Sequence, residues 1–345
     1  MLTLTGGLQS RGHSVRFITF TGRGAGSELR RHGETVDEVY VRTKLDPFAI
    51  AAMAKKIRSS RSQIVHTHLS TSSVNGCLAA KLAKVPSFAT VHGMSGKLSF
   101  VFADQLLAVS EEVKNHLVSQ GVKPSRIKVI YNGVVEEQAS ESEVDQLRVQ
   151  LGLSGTFPVL GTVARVTRLK GIADAIKAVH HLKFEFPDIR YLVLGTGDDL
   201  QNCEELVGDL GLQRNVHFLG YQHRTAPYLK LMDIFIFPSY REAMGIALVE
   251  AALQGVPCVA TNIGGIPEVV AKGSSQLVNP GDIEAMVKQV TRLANDPALR
   301  LTVSQNEQEL ARQKFSVDTM VESTLVVYES MLAHRHAIDC RYFTR

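Results

Sequence analysis

The stretch FPSYREAMGIALVEAALQGVP, residues 237–257, contains the end of a strand, a turn and a helix. The helix is predicted to begin near Ala243, and Gly255 followed by Pro257 is a typical stop signal. The free N–H groups at such a helix start face the carboxyl edge of a parallel sheet, where phosphate groups commonly bind. The stretch therefore predicts an α/β domain with an anion-binding edge.

Short apolar, β-branched runs alternate with amphipathic segments on both sides of this stretch, a pattern typical of parallel strands joined by helices. Strands are predicted near residues 14–20, 63–66, 87–91, 105–108 and 127–130, and again near residues 159–164, 190–195, 216–219, 234–238, 257–260 and 275–278. The acidic, polar segment 136–155 separates the two series. We therefore predict two Rossmann-like, doubly wound α/β domains, residues 1–150 and 151–315, and a helix over residues 316–345 that returns toward the first domain.

The composition is that of a globular protein of 345 residues, with 44% hydrophobic and 21% charged residues. No apolar run approaches the roughly 20 residues that span a bilayer, and the opening residues lack the pattern of a secretion signal. The four cysteines are scattered without CxxC spacing, which favours a reducing cytoplasm and argues against a disulfide framework or a zinc site. Residues 1–135 carry 18 lysines and arginines against 8 acidic residues, whereas the remainder carries 20 against 26.

Glu242 and Glu250 are eight residues apart, so one helix would place both along one side. There they can bind hydroxyl groups at opposite ends of an extended ligand. Alternatively, Glu242 complements the helix dipole and Glu250 is a solvated helix carboxylate. Glu250 falls within the apolar run IALVEAAL, where an unpaired charge is costly unless the position opens to a cleft, and this favours a functional role.

The segment GTVARVTRLKG, residues 161–171, follows a predicted strand and presents Arg165, Arg168 and Lys170 near the same edge. Arginine binds phosphate oxygens in pairs and lysine adds a compact charge, so the three cations suit a diphosphate, although they can equally be surface residues. The segment LGTGDD, residues 194–199, lacks the full GxGxxG spacing of dinucleotide sites. Its two aspartates either cap the next helix or bind a metal; capping is favoured, and we assign no metal site.

Histidines mark two strand ends in the first half of the chain. IVHTHLS contains His66 and His68, and TVHG contains His92, near the carboxyl ends of strands, where α/β proteins build ligand sites. His92, which precedes a glycine, is the stronger candidate. His66 and His68 are explained equally well as strand-end side chains satisfied by backbone groups.

Taken together, these segments resemble, in order and spacing, the retaining glycosyltransferases of the GT-B fold, specifically family 4. The resemblance covers nearly the whole chain, and its segments are RGHSV (11–15), VHTH (65–68), TVHG (90–93), AVSEEVK (108–114), IYNGV (130–134), GTVARVTRLKG (161–171), LGTGD (194–198), FLGY (218–221), PSYREAMGIALVEA (238–251) and GGIPEVV (264–270). The family's fold consists of two Rossmann-like domains that face each other across a cleft. Residues 1–150 would then bind the acceptor and residues 151–315 the nucleotide-sugar donor.

The resemblance also implies individual roles. Arg165 and Lys170 would bind the donor diphosphate, Glu250 the ribose hydroxyls and Glu242 the transferred sugar. His92 would be the acceptor-domain histidine near the reacting sugar, and we group it with Arg165, Lys170 and Glu242 as catalytic. Further donor-binding positions are Met244, Gly245, Leu219, Gly220, Tyr221 and Gly161.

This sequence differs from the pattern of the family it resembles in two places. Many family members have Gly or Pro and then Phe after the first glutamate, whereas this chain has Ala243 and Met244, which changes the sugar pocket but keeps both carboxylates. Family members usually open with a strand and a glycine-rich loop, whereas this chain is predicted to begin inside its first helix. We therefore expect either about 15 to 20 further residues upstream or another segment in place of that strand. Without it, nucleotide binding should persist while sugar transfer is poor.

By this resemblance the reaction retains anomeric configuration, uses a UDP- or GDP-sugar, needs no metal or other cofactor, and serves cell-envelope glycan synthesis. The acceptor would be lipid-linked or a polysaccharide, and no nucleic-acid partner is expected. The basic first domain suggests a cytoplasmic protein that docks on the anionic inner face of the membrane through Lys55, Lys56, Arg58, Arg61 and the apolar LSFVF at 98–102. Two alternatives stay open: a nucleotide-sugar epimerase of the same architecture, and a donor-binding subunit without catalytic activity.

Overall fold

A computed structural model describes residues 1–22, 24–270 and 276–342, with side chains as far as His334. The chain divides into two compact units. Unit 1 contains Met1–Gly133 and the C-terminal segment from Val317, and unit 2 contains Val134–Ser316. The C-terminal helix belongs with the first unit, whose opening segment ends at Gly133, whereas residue 150 was the boundary predicted from the sequence. The difference arises because the segment predicted as a connection contains a helix, Glu141–Gln150, that packs within unit 2 against the short helix Ala226–Leu229.

Within its described residues, unit 1 contains six strands in two parallel sheets, ordered β1-β2 and β3-β4-β5-β6. The strands are β1 (Phe17–Phe20), β2 (Val36–Val39), β3 (Val65–His68), β4 (Ser87–Val91), β5 (Gln105–Ala108) and β6 (Ile127–Val129). The helices are α1 (Leu2–Gln9), α2 (Ala25–Arg31), α3 (Pro47–Ser59), α4 (Ser70–Ala83), α5 (Glu111–Ser119) and, after unit 2, α13 (Val317–Tyr342), with 3-10 turns at Lys97–Ser99 and Pro124–Arg126.

The opening residues are helical, as expected, and α1 packs against α13. Leu4 and Leu8 of α1 share one apolar cluster with Val321 and Tyr328 of α13 and with Phe88 of β4. Arg11, just beyond α1, adds an ion pair to Asp318 with a 2.8 Å N–O distance. The first and last helices of the chain therefore cover the β3–β6 sheet together.

Unit 2 contains one six-stranded parallel sheet in the order β12-β11-β10-β7-β8-β9. Its strands are β7 (Val159–Val163), β8 (Arg190–Leu194), β9 (Val216–Gly220), β10 (Ile234–Phe237), β11 (Cys258–Thr261) and β12 (Leu277–Val278). Its helices are α6 (Glu141–Gln150), α7 (Ile172–Leu182), α8 (Leu200–Asp209), α9 (Ala226–Leu229), α10 (Ile246–Leu253), α11 (Ile283–Asn295) and α12 (Pro297–Lys314). The strand order reverses between β7 and β10, which is the doubly wound Rossmann arrangement with its switch point at those strands.

Buried apolar runs explain why most strands lie where the sequence predicted them. Every residue of β4, β5 and β10 is buried, and β10, with the sequence IFIF, is a continuous hydrophobic run. The strand β2, with the sequence VDEV, was not predicted, because two of its four residues are acidic. Part of the predicted strand 275–278 lies outside the described residues. Among the described helices, none combines the length and hydropathy that crossing a bilayer requires.

Glu307 of α12 is a buried carboxyl group beside the first residue of β11. One of its oxygens accepts a 3.0 Å hydrogen bond from the backbone N–H of Cys258, and the other has no partner among the described groups. Burial raises the pKa of Glu307 from 4.5 to about 8. Between those two values the unfolded chain loses this proton while the folded chain keeps it, so stability falls as the pH rises.

We expect Glu307→Gln to remove that loss, because the amide has the size of the protonated acid and cannot ionise. The variant should lose less stability than the parent chain between pH 5 and pH 8, by an amount on the order of a few kcal/mol at most. Thermal unfolding of both chains across this pH range measures the effect. Parallel pH profiles for the two chains would contradict the buried titration.

Candidate functional site

The loops that leave the carboxyl ends of β7, β8, β10 and β11 meet at one edge of the unit 2 sheet. Glycines make this contact possible, because a side chain at these positions would collide with a backbone carbonyl. A Cβ on Gly171 would lie 2.0 Å from the oxygen of Pro238, and one on Gly197 would lie 2.0 Å from the oxygen of Val166. A Cβ on Gly264 would lie 1.9 Å from the oxygen of Glu242. The switch point of the sheet is therefore covered by tightly stacked loop backbone.

The cationic loop after β7 brings Lys170 to Glu242. Their side chains form an ion pair, with both groups mostly buried, and Lys170 also lies over the ring of Phe237, 5.5 Å from its centre. Arg168 is exposed and lies 3.6 Å from the largely buried carboxylate of Asp199. Arg165 is exposed, and no described residue pairs with its guanidinium. Of the predicted cations, Lys170 thus meets the first glutamate at the switch point.

The helix after β10 begins at Ile246, three residues later than the sequence indicated. Gly245 precedes it with φ +95°, a left-handed conformation that interrupts the helix. The backbone before it bonds elsewhere, since the carbonyl of Glu242 accepts a 3.2 Å hydrogen bond from Gly265. The prediction that Glu242 and Glu250 share one helix is therefore wrong: Glu242 lies in the turn, where its own carboxylate accepts a bond from the N–H of Ala243.

Glu250 lies one turn into α10 and is half-buried. Burial is the main cause that raises its pKa, the charge of Glu137 adds to the rise, and a hydrogen bond with Thr225 opposes it. Thr225 was not identified from the sequence, because it precedes the four-residue helix α9 and carries no motif. Glu250 is thus a partly desolvated carboxylate, and hydrogen bonds from hydroxyl groups stabilise its charged form.

Other predicted donor positions differ in exposure. Leu219 and Gly220 end β9, and Tyr221 beyond them is 69% exposed. Met244 and Gly245 lie buried in the turn before α10. Gly161, by contrast, lies inside β7, and a Cβ there would meet the Met232 side chain at 2.2 Å, so it packs against Met232 rather than facing the edge.

The predicted metal alternative involved the adjacent aspartates before α8. Asp199 occupies the N-cap position but makes no side-chain capping bond, and its carboxylate instead accepts a 2.6 Å bond from Asn202. Within the described ranges, no cluster of three or more His, Cys, Asp or Glu side chains is arranged to hold a metal ion.

In unit 1, three histidines line the ends of neighbouring strands. His68 is the last residue of β3, and its Nδ1 lies 2.9 Å from Nε2 of His92, which follows β4. His66 lies within β3 rather than at its end, and its ring nitrogens bond Tyr328 and Thr90, each at 2.6 Å. Backbone groups were one of the two explanations left open for His66 and His68, and the structure instead gives both rings side-chain partners. The contact with Tyr328 could not be predicted, since 262 residues separate the partners.

Two family models match the chain over adjacent ranges. The model for glycosyltransferase family 4 matches residues 1–138, and the model for glycosyl transferases group 1 matches residues 143–310. The chain belongs to family 4 of the glycosyltransferases. The segments quoted for the resemblance lie within these two ranges.

Sequence relatives of this glycosyltransferase extend along most of its length. It is 26% identical over 353 residues to N-acetyl-alpha-D-glucosaminyl L-malate synthase of Bacillus anthracis, covering 94% of this chain and 91% of that protein. It is 27% identical to the UDP-Gal:alpha-D-GlcNAc-diphosphoundecaprenol alpha-1,3-galactosyltransferase of Escherichia coli, covering 84% of this chain and 81% of that protein.

Solved structures share the fold. A glycosyltransferase from Rickettsia africae superposes with a TM-score of 0.86 at 22% identity, covering 96% of this chain and 93% of that one. HepE (Alr3699) of Anabaena in complex with UDP-glucose superposes with a TM-score of 0.83 at 23% identity, covering 95% of each chain. These likenesses confirm the GT-B class that the sequence predicted.

The stacked loops of unit 2 allow a direct test of the packing around the switch point. We expect Gly197→Ala to destabilise the protein by about 1–3 kcal/mol, because its Cβ forces two loops apart. The matched control is Gly208→Ala in α8, where a Cβ meets nothing within 4 Å. A helical Gly→Ala change of this kind should stabilise by about 0.5–1 kcal/mol. Thermal unfolding measures both, and equal stability of the two variants would contradict the packing.

Proposed function

We propose that this glycosyltransferase is a retaining, metal-independent enzyme that transfers a sugar from a nucleotide diphosphate sugar to a lipid-linked or polysaccharide acceptor. The observation that carries the proposal is the meeting of Lys170, Glu242 and the start of α10 at the switch point of unit 2, with Arg165 unpaired in the same loop. UDP bound to HepE and the UDP-galactose in the name of the Escherichia coli relative support a nucleotide-sugar donor.

Each part of the donor has a chemical counterpart in unit 2. The two phosphates would accept hydrogen bonds from Arg165 and Lys170 and from backbone N–H groups at the start of α10. The ribose hydroxyls would donate to Glu250, which offsets the burial that raises the pKa of this carboxyl group. The sugar hydroxyls would donate to Glu242, and the base would lie beside Leu219–Tyr221.

The proposed reaction needs no protein nucleophile. The bond between the anomeric carbon and the diphosphate oxygen breaks, and the acceptor oxygen bonds to that carbon from the same face. The acceptor proton passes to a phosphate oxygen of the departing diphosphate. The protein's part is to stabilise the growing diphosphate charge with fixed cations and N–H groups. His92 of unit 1 would bind the acceptor side of the reacting sugar.

A donor panel tests the proposal. Nucleoside diphosphate release is measured from UDP- and GDP-sugars, with a pool of lipid-linked and oligosaccharide acceptors, in EDTA and in magnesium. We expect release in EDTA and a product with the donor's anomeric configuration by NMR. A strict need for a divalent ion or an inverted product would refute the mechanism. Release of an epimerised free sugar would identify an epimerase instead, and binding without turnover would identify a non-catalytic subunit.

We expect Arg165→Ala and Lys170→Ala to lower turnover by roughly two to three decades, the loss of about 2.7–4 kcal/mol that removal of one preorganised contact causes. Nucleoside binding should weaken less, because the charge matters most as the diphosphate leaves. Lys288→Ala on α11, exposed and away from the site, is the matched control. A change below threefold in either site variant would remove that residue from the proposed site.

We also propose that unit 1 docks on an anionic membrane, where lipid-linked acceptors reside. The apolar Leu45, Phe48 and Leu98 are 55%, 75% and 73% exposed. Lys44, in the loop before α3, contacts the 3-10 turn Lys97–Ser99, because its ammonium group lies 3.1 Å from the hydroxyl of Ser99. Arg42 lies over the Phe48 ring and is paired with Asp46 at 3.2 Å, so Lys44 supplies the positive charge beside these side chains. We call Arg42, Lys44, Leu45, Phe48 and Leu98 the docking surface.

The basic residues first singled out on α3 contribute less to this surface. Lys56 is paired with Asp37 at 2.7 Å, and Arg58 hydrogen-bonds the carbonyl of Leu82. Lys55 and Arg61 are exposed, but they lie toward the C-terminal end of α3, whereas Phe48 lies at its start. A helix rises about 1.5 Å per residue, so these basic side chains are well separated from Phe48. The apolar and basic side chains at the start of α3 therefore suit a membrane better.

Sedimentation with liposomes tests the docking surface. We expect binding to vesicles with anionic lipid at low salt, release at high salt, and weak binding to neutral vesicles, since each basic residue contributes about 1 kcal/mol near such a surface. Phe48→Ser with Leu98→Ser should reduce binding more than Lys55→Ala with Arg61→Ala. Equal recovery on neutral and anionic vesicles, or equal losses in the two double variants, would refute it.

A further inference from the structure

The three histidines of unit 1 form one connected row of side chains. The rings of His66 and His68 lie 4.5 Å apart, and those of His68 and His92 lie stacked at 5.2 Å with an interplanar angle of 25°. The row begins at Tyr328 of α13, whose hydroxyl bonds His66 at 2.6 Å. It ends at the exposed His92. A buried helix contact is thus connected to a histidine at the candidate acceptor side.

His66 is fixed at both ring nitrogens, by Tyr328 and by Thr90 of the neighbouring strand. The sheet register holds this arrangement, since β3 pairs with β4 through His66 with Phe88 and His68 with Thr90. The fixed ring of His66 therefore packs against the His68 ring and restricts its movement. His92 has no such support of its own, because it lies beyond the last residue of β4.

Burial favours the neutral form of all three rings: it lowers the pKa of His66 to about 3 and also lowers the pKa values of His68 and His92. The α-ammonium group of Met1 adds to the fall at each ring, and repulsion from neighbouring histidines adds to it at His66 and His68. A neutral imidazole carries one N–H and one lone pair. The bond between Nδ1 of His68 and Nε2 of His92 therefore contains a single proton, and it selects one tautomer for each ring.

We propose that His68 is a positioning residue for His92: its Nδ1 accepts the Nε2–H of His92, which fixes the ring and directs the Nδ1 lone pair of His92 to an acceptor hydroxyl. Both rings then carry their proton on Nε2, the tautomer that a free histidine side chain prefers. No described residue bonds Nδ1 of His92. The acceptor half of this proposal rests on the proposed function, whereas the fixed tautomer does not.

Imidazole nitrogen NMR at pH 8 tests the positioning without any substrate. In the parent chain, Nδ1 of His92 should show the shift of an unprotonated nitrogen and Nε2 that of a protonated one. His68→Asn retains a polar atom at the position of Nδ1 and should preserve this pattern. His68→Leu should give averaged shifts from mixed tautomers. Exposed His32, mutated to Leu, is the control and should change nothing. A parent pattern in His68→Leu, or averaged shifts in the parent chain, would overturn the proposal.

A double-mutant comparison tests the link to transfer, with the donor and acceptor found by the panel. His68→Leu should lower kcat about tenfold, as loss of one hydrogen bond can, with little change in the KM of the donor. His68→Asn should restore most of it, and His68→Leu should have no further effect in a His92→Ala background. Multiplying effects of the two substitutions would overturn the positioning role. Full activity of His92→Ala would instead refute the proposed role of His92, and the NMR result would still decide the tautomer.

Discussion

The site of unit 2 depends on the contact of bare backbone at the switch point of its sheet. Gly171 and Gly264 allow the loops after β7 and β11 to lie against Pro238 and Glu242, at distances where any Cβ would overlap a carbonyl oxygen. Lys170 precedes the first of these glycines, and the Glu242 carbonyl lies under the second. The cation and the carboxylate therefore meet because the chain has no side chains in the way. A site built on fixed backbone is preorganised, which is what electrostatic stabilisation of a leaving diphosphate requires.

The sequence predicted the parts of the fold that follow from local hydrophobicity. The strands β4 and β5 were located to the residue, because each has an apolar centre, and their polar residues Ser87, Thr90 and Gln105 are themselves buried. The strand β2 was missed for a tertiary reason. Its Asp37 and Glu38 are paired with Lys56 and Arg30, at 2.7 and 2.9 Å, and the chain far from the strand supplies the first of these partners. Acidic residues in a strand become compatible with the sheet only when those partners are in place.

The same distinction applies to the candidate sites. Residue types and their order led to Lys170, Glu242 and His92 as candidates, because cations, carboxylates and histidines at strand ends have recognisable chemistry, and their roles stay predictions. The start of α10 was placed too early because the competing hydrogen bond comes from Gly265, more than twenty residues farther along the chain. The side-chain contacts of His92 could likewise not be predicted, because they run through His68 and His66 to Tyr328 in the last helix.

The charges at the switch point are nearly balanced before a donor binds. Lys170 is neutralised by Glu242, Arg168 lies near Asp199, and Arg165 remains as the cation without a described partner. Such a balance avoids the cost of holding several like charges together in a half-buried place. Under the proposed function, a donor changes this balance in a defined order. The sugar hydroxyls would donate hydrogen bonds to Glu242 and thereby weaken its ion pair with Lys170. The ammonium group of Lys170 would then be available to bind the diphosphate. A nucleoside diphosphate without a sugar cannot make that exchange. The ion pair therefore gives the site a physical reason to bind the complete donor differently from the nucleotide alone, and it directs the lysine toward the phosphate only when there is a sugar to transfer.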